Sequence, residues 1–150
     1  MKISKLEEQS IRLAVALARQ GEQMTLSELS AEERLSEALI AKIMGRLRQG
    51  GIIRAARGRS GGYELVAPPD ELTVAAVIRA LGRPLFNGCY TKASEPCPHE
   101  SDCTLKPIWE YLQSAVAYTL DQITLSDLVK KERYVRDRMA FLHTGSAPVS

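Results

Sequence analysis

A mainly α-helical fold with one small β-hairpin is predicted by three observations. Apolar residues recur at helical spacing over 6–20, 36–49 and 105–123. Hydroxyl residues that can cap a helix (Thr25, Ser36, Thr73 and Thr124) stand just before candidate helices. A Gly-rich turn, 58–62, separates two short runs that read as strands.

Taken in order, residues 6–20 place Ile11, Ala14, Val15, Leu17 and Ala18 on one helical face and stop at Gly21. Thr25-Leu26-Ser27-Glu28 has the capping-box spacing, a hydroxyl followed three residues later by a carboxylate, which predicts a short helix to about residue 34. Ser36 can cap the next helix, whose apolar residues are Leu39, Ile40, Ile43, Met44 and Leu47, and Gly50-Gly51 ends it. Two short helices joined by a tight turn form a helix-turn-helix. Residues 52–57 and 63–66 then make a hairpin, a wing attached to that unit. Thr73 caps a helix to about residue 81. Residues 84–104 show no sustained period, contain all three cysteines, and are too long for an idle connection. Helical spacing returns at 105–123, with Pro107 allowed in the first turn. Its apolar residues, among them Ile108, Trp109, Tyr111, Leu112, Val116, Tyr118 and Leu120, cover an arc of roughly 200°, about twice what one neighbour requires. The excess predicts a second subunit against this helix. Thr124 caps a further helix through about residue 141. The organisation expected is therefore a winged helix-turn-helix DNA-binding domain over 1–82 and a cysteine-containing loop over 83–104. A dimerisation helix and C-terminal helix follow over 105–142, then a disordered tail over 143–150.

Composition excludes several classes. With 150 residues, 45% of them hydrophobic and 25% charged, the chain can bury a core without disulfides and is not intrinsically disordered. The longest charge-free run, 111–120, is far short of the ~20 apolar residues of a membrane span. The first residues turn acidic (Glu7, Glu8) where a signal peptide turns apolar, so a cytoplasmic protein is expected. Three cysteines in a reducing compartment point to metal or redox chemistry rather than structural disulfides. Only two histidines occur, with neither a phosphate-binding loop nor a nucleophile motif, so an enzyme is not expected.

The formal net charge of +2 hides an uneven distribution. Lys42, Arg46, Arg48, Arg54, Arg57 and Arg59 lie between residues 42 and 63 without an acid, a block of +6 that leaves −4 for the rest. Solvated faces mix both signs, whereas a single-sign block is the footprint of a polyanion. On the second helix of the helix-turn-helix, Ser36, Glu37, Ala38, Ala41, Lys42, Gly45 and Arg48 remain outside when the apolar residues face inward. Residues near the start of such a helix reach base edges, and later cations contact phosphates. At the wing tip Arg57 and Arg59, with Ser60 beside them, can enter a narrow minor groove. Double-stranded operator DNA is the partner this pattern predicts.

Seven residues separate Cys89 from Cys97 and five separate Cys97 from Cys103. This is not the Cys-x-x-Cys of zinc ribbons. Three thiolates can still converge on a metal, and Cys103 precedes a helix start, where the dipole favours a thiolate. An iron–sulfur cluster comes first among the readings, then zinc or another single metal, then free or redox-active thiols. A cluster with four protein ligands requires one more donor. His99 is one candidate, although a lone loop histidine is commonly just solvated.

These residues together resemble the Rrf-type family of winged-helix transcription regulators, which includes iron–sulfur, nitric-oxide and iron-responsive repressors. The resemblance is carried by Met1-Lys2-Ile3-Ser4-Lys5, Arg46-Leu47-Arg48-Gln49-Gly50-Gly51-Ile52 and Arg57-Gly58-Arg59-Ser60-Gly61-Gly62-Tyr63. It continues through Pro68-Pro69-Asp70-Glu71-Leu72-Thr73-Val74, the cysteine triplet, and Ile123-Thr124-Leu125-Ser126-Asp127-Leu128-Val129. It implies a homodimer built on the 105–123 helix and a 2Fe-2S or 4Fe-4S cluster held by Cys89, Cys97 and Cys103. The cysteine spacing is most similar to the iron-responsive branch. The cluster-assembly regulators have a histidine ligand where this chain has Lys106. The nitric-oxide branch takes a carboxylate from the first helix of the partner, and alignment on Arg12 puts Glu8 there, with Glu7 adjacent. A carboxylate in a first helical turn is equally explained by the dipole. The wing has Arg59-Ser60 where the family usually has Pro-Gly, and the reading helix has Ala41-Lys42 where a Glu-Gln-like pair is common, so the operator sequence does not carry over.

The function this resemblance implies is a dimeric repressor whose operator affinity depends on an iron–sulfur cluster sensing nitric oxide, iron or redox state. Two alternatives are a winged-helix regulator that uses zinc or free thiols as its sensor, and a winged-helix module that binds an acidic protein partner instead of DNA.

Overall fold

The computed structural model describes residues 3–58, 61–82, 101–130 and 132–144. Helix α1, Lys5–Gln20, begins at a reciprocal cap. The Ser4 amide donates to Glu7 Oε2 at 2.6 Å, and the Glu7 amide donates to Ser4 Oγ at 3.3 Å. Helix α2, Leu26–Glu33, opens on the same device at Thr25 and Glu28. Helix α3, Glu37–Gln49, is capped by Ser36, whose Oγ accepts from the Leu39 amide at 3.4 Å. The turn between α2 and α3 places Arg34 in the left-handed region, φ 55°, and Ser30 Oγ donates across it to the Leu35 carbonyl at 2.6 Å. That bond fixes the angle at which α3 leaves α2.

Strands β1, Ile53–Ala56, and β2, Gly62–Leu65, pair antiparallel in the register Ile53↔Leu65 and Arg54↔Glu64. The wing is also tied to the turn before α2, because Met24 and Tyr63 exchange both backbone bonds at 2.9 and 2.8 Å. This approach requires glycine at position 62: its φ is +155°, and a Cβ there would lie 2.7 Å from the Met24 carbonyl oxygen. Helix α4, Val74–Arg79, follows the Thr73 cap. Helix α5, Lys106–Asp121, has no side-chain cap and carries its proline in the first turn. Helices α6, Leu125–Val129, and α7, Glu132–Thr144, complete the chain.

One core holds the winged helix-turn-helix head together. Leu13 and Leu17 of α1, Leu29 of α2, and Ile40, Ile43, Met44 and Leu47 of α3 are essentially inaccessible to solvent. Each such side chain contributes about 1.5–3 kcal/mol of transfer free energy. Leu125 of α6 is fully buried in the same core. The chain therefore returns to the head after α5. The return is stitched by the amides of Val74, Leu125 and Ser126, which donate to the carbonyls of Ile123, Leu72 and Pro69 at 2.9, 2.8 and 3.0 Å.

The mainly α fold with a β-hairpin wing is as expected, and the C-terminal part differs in detail. The single helix expected from Thr124 to about residue 141 is two helices, broken at an extended Lys130 with ψ 169°. Five residues suffice for α6 to place Leu125 and Leu128 on the core. The break redirects the chain so that Leu142 of α7 packs on Val74, Ile78 and Ile123. His143, expected in the tail, lies in α7, while residues 145–150 are outside the described residues.

Candidate nucleic-acid interface and cysteine site

The core residues of α3 turn its other face outward. Ser36, Glu37, Ala38, Lys42 and Arg48 are exposed, and Ala41 and Gly45 are half-buried. Nothing lies within 4 Å of a Cβ built on Gly45, so the middle of this face is open space. A glycine inside a helix costs about 0.5–1 kcal/mol relative to alanine. An open, costly glycine among small residues leaves a shallow face that a second molecule can approach closely. Ser36 serves both this face and the cap of α3.

Arg57 is exposed at the end of β1, on the same run of sequence. Arg59 and Ser60 are outside the described residues. Among the described residues, Lys42, Arg48 and Arg57 form no ion pair, whereas Arg54 does: its Nε lies 2.7 Å from Glu64 Oε1. Position 64 falls one residue beyond the acid-free block, and hairpin register places it opposite Arg54. The block of +6 therefore overstates the charge available to a polyanion, because one of its arginines is compensated across the strands.

Of the three cysteines, Cys89 and Cys97 are outside the described residues, as is His99. Cys103 is a free, half-buried thiol three residues before α5, and its carbonyl accepts from the Lys106 amide at 3.4 Å. Among the described residues, no group of three His, Cys, Asp or Glu side chains is arranged to hold a metal ion. The two first-helix carboxylates are distinguished sharply. Glu7 is buried and its carboxylate is occupied by the Ser4 amide. Glu8 is exposed, with Oε1 3.4 Å from Arg12 Nε. Arg12 also lies 3.5 Å from Glu33, at the end of α2. Only Glu8 presents a carboxylate that another subunit can reach. Of the donors the sequence predicts for an iron–sulfur cluster, the described residues include a half-buried thiol, Cys103, and an accessible carboxylate, Glu8.

The amphipathic arc of α5 resolves into two faces. Gln113, Val116, Ala117 and Leu120 are half-buried, whereas Ile108, Tyr111, Leu112, Ala115 and Tyr118 form an exposed stripe. Tyr111 is 73% and Tyr118 67% exposed, and no residue of α5 is buried. A continuous apolar stripe of this kind marks an interaction surface.

Several residues that shape the site carry no local sequence signal. Glu64 is legible only once hairpin register is known. The Met24–Tyr63 pairing joins residues far apart in the chain. Asp121 accepts from Arg79 Nη1 at 2.9 Å and from Thr73 Oγ1 at 3.3 Å, with a second, shorter bond from Arg79 Nη2. The Arg79 hydrogen bond foremost, with the Arg79 charge and the Thr73 bond adding to it, holds the Asp121 carboxyl below its usual range against the opposing effect of burial. The Ser4–Glu7 cap was detectable, since it has the same spacing as Thr25–Glu28.

A helix-turn-helix with a wing and an exposed basic face on α3 place the fold in the winged-helix class of DNA-binding regulators. Comparison with known proteins makes the class specific. The model of the Rrf2 family, described as iron-dependent transcriptional regulators, matches residues 3–131, and the chain belongs to that family. It is 32% identical over 130 residues to the HTH-type transcriptional regulator CymR of Bacillus subtilis, covering 85% of this chain and 89% of that one. It is 31% identical over 118 residues to the HTH-type transcriptional regulator IscR of Aliivibrio salmonicida, covering 78% and 69%. The solved structure of CymR, titled the global cysteine regulator of B. subtilis, superposes with a TM-score of 0.67 at 28% identity, covering 86% and 96%. No helix among the described residues is long and apolar enough to cross a membrane.

Proposed function

We propose that this regulator is a cytoplasmic homodimeric repressor that reads operator DNA with α3 and the wing. Cys89, Cys97, Cys103 and Glu8 of the partner subunit would hold an iron–sulfur cluster that controls its affinity. The observation that carries the DNA-reading part is that Lys42 and Arg48 of α3, beside its small residues, and Arg57 of the wing are exposed and form no ion pair among the described residues. Ser36, Glu37 and Ala38, at the start of α3, take the positions from which side chains reach base edges. Lys42 and Arg48 neutralise phosphates, and Arg57, Arg59 and Ser60 of the wing meet the adjacent minor groove. The stripe of α5 is the dimer seam, so two heads present their reading helices together.

When bound, a cluster supplies a centre whose redox state and thiolate ligation respond to oxidants, nitric oxide or iron supply. Cys103 brings its thiol to the start of α5, and Glu8 offers an exposed carboxylate of α1 that pairs with Arg12 within the chain, while Glu7 is committed to the helix cap. Anaerobically purified protein is expected to contain iron and sulfide and to absorb in the visible. A colourless protein without either after reconstitution refutes the cluster assignment. Glu8→Gln should weaken cluster retention without loss of thermal stability, whereas Glu7→Gln should lower stability through the cap.

A second reading has its own support. The B. subtilis relative of solved structure is titled a cysteine regulator, and Cys103 is a free, half-buried thiol. Under it the cysteines act as a thiol sensor, and duplex binding by iron-free protein changes on treatment with a thiol oxidant and recovers with a reductant.

A further inference from the structure

One carboxylate grips α4 at both ends. Asp121, the last residue of α5, accepts from Thr73, the N-cap of α4, and from both terminal nitrogens of Arg79, the last residue of α4. The next residue, Ala80, fills the notch left by Gly50 at the C-terminus of α3. A Cβ on Gly50 would lie 2.5 Å from Ala80 Cα and closer still to its Cβ. Ala80 and Gly50 are in direct contact at that point, so a displacement of α4 towards α3 would press on the end of the reading helix. The contacts thus run from α5 through Asp121 to Arg79, from Ala80 to Gly50, and into the reading helix.

Resting on the DNA-reading proposal above, we infer that Asp121 is a positioning residue that sets the angle of α3 relative to the α5 seam, through α4. In a symmetric dimer that angle fixes the separation of the two reading helices, which must match half-sites about 34–36 Å apart or a multiple of this. Arg79 and Asp121 are bonded to each other and belong to α4 and α5, outside the reading helix and the wing. They affect DNA through the spacing that the dimer tolerates, and not through contact with bases or phosphates.

The test uses the full-length dimer. A duplex is selected by the wild-type protein from a random double-stranded library, and its half-site spacing is then lengthened by one base pair. Asp121→Asn is expected to narrow the affinity ratio between the two duplexes by about twofold to fivefold, the scale of a partly exposed ion pair. The exchange Arg79→Asp with Asp121→Arg should restore it, and the salt dependence should not change in either protein. Arg79→Gln provides a second variant if Asp121→Asn does not fold. An unchanged ratio in the folded variants, or equal loss of affinity for both duplexes, overturns the inference. A wild-type protein that enriches no duplex overturns the DNA-reading proposal and this inference with it. A wild-type protein that enriches an inverted repeat, paired with variants of unaltered spacing preference, overturns this inference alone.

Discussion

The difference between Arg54 and Arg57 gives the sharpest test of the reading face. The two arginines are three residues apart and belong to the same acid-free block. In the structure Arg57 is exposed and forms no ion pair among the described residues, whereas Arg54 is held 2.7 Å from Glu64 across the hairpin. A cation that neutralises one phosphate contributes about 0.9 to the slope of log K against log salt. Arg57→Ala should therefore lower the slope by about 0.9, so that raising salt from about 50 to 200 mM weakens the variant roughly 3.5-fold less than the wild type. Arg54→Ala should leave the slope close to its wild-type value, and Glu64→Gln, by releasing Arg54, should steepen it. The assay is fluorescence anisotropy on a labelled duplex at four salt concentrations. Equal flattening by Arg54→Ala and Arg57→Ala would refute the claim that the cross-strand pair withdraws Arg54 from the interface.

Four further outcomes follow from the packing and the caps. Ile108→Glu with Leu112→Glu, on the exposed stripe of α5, should yield a folded monomer by analytical ultracentrifugation, and a persistent dimer would place the seam elsewhere. Gly50→Ala should destabilise the head by about 1–3 kcal/mol through overpacking against Ala80, lowering Tm by roughly 2–4 °C per kcal/mol. Gly45→Ala, into open space, should instead stabilise by about 0.5–1 kcal/mol and weaken duplex binding by roughening the reading face; a gain in both would argue against close approach there. At Asp127, burial opposes ionisation. The Thr124 amide and hydroxyl bonds, helped by Tyr134 and Lys130, outweigh it and hold the carboxyl below its ordinary value. A carboxyl depressed in the folded state stabilises above the unfolded pKa and loses that contribution as pH falls through the folded one. Denaturant titrations of wild type and Asp127→Asn should therefore differ by about 1 kcal/mol at pH 7 and converge below about pH 4, and a gap independent of pH would contradict the assignment.

Most helices and the hairpin are legible in the sequence because their signals are local. A hydroxyl three residues before a carboxylate satisfies two helix-start amides wherever it occurs, as at Thr25 and Glu28. The inward face of α3 follows from residue spacing alone, and Ile40, Ile43, Met44 and Leu47 are buried as that spacing requires. The acid-free run is local in the same sense, and Lys42, Arg48 and Arg57 of that run are exposed.

Tertiary structure decided the matters that depend on pairs distant in the chain. It withdrew Arg54 through hairpin register and separated Glu7 from Glu8 by burial. It ended α6 at Val129 so that Leu142 of α7 could pack on Val74, Ile78 and Ile123, and it divided the apolar arc of α5 into a half-buried and an exposed face. It also joined α5 to α3 through Asp121, Arg79 and the Ala80–Gly50 contact, a path with no mark in residue pattern or spacing. The physical reason is the same in each case. Capping, periodicity and charge density are properties of neighbours in sequence, whereas the compensation of a charge and the fit of one backbone against another exist only after the chain has brought distant residues together.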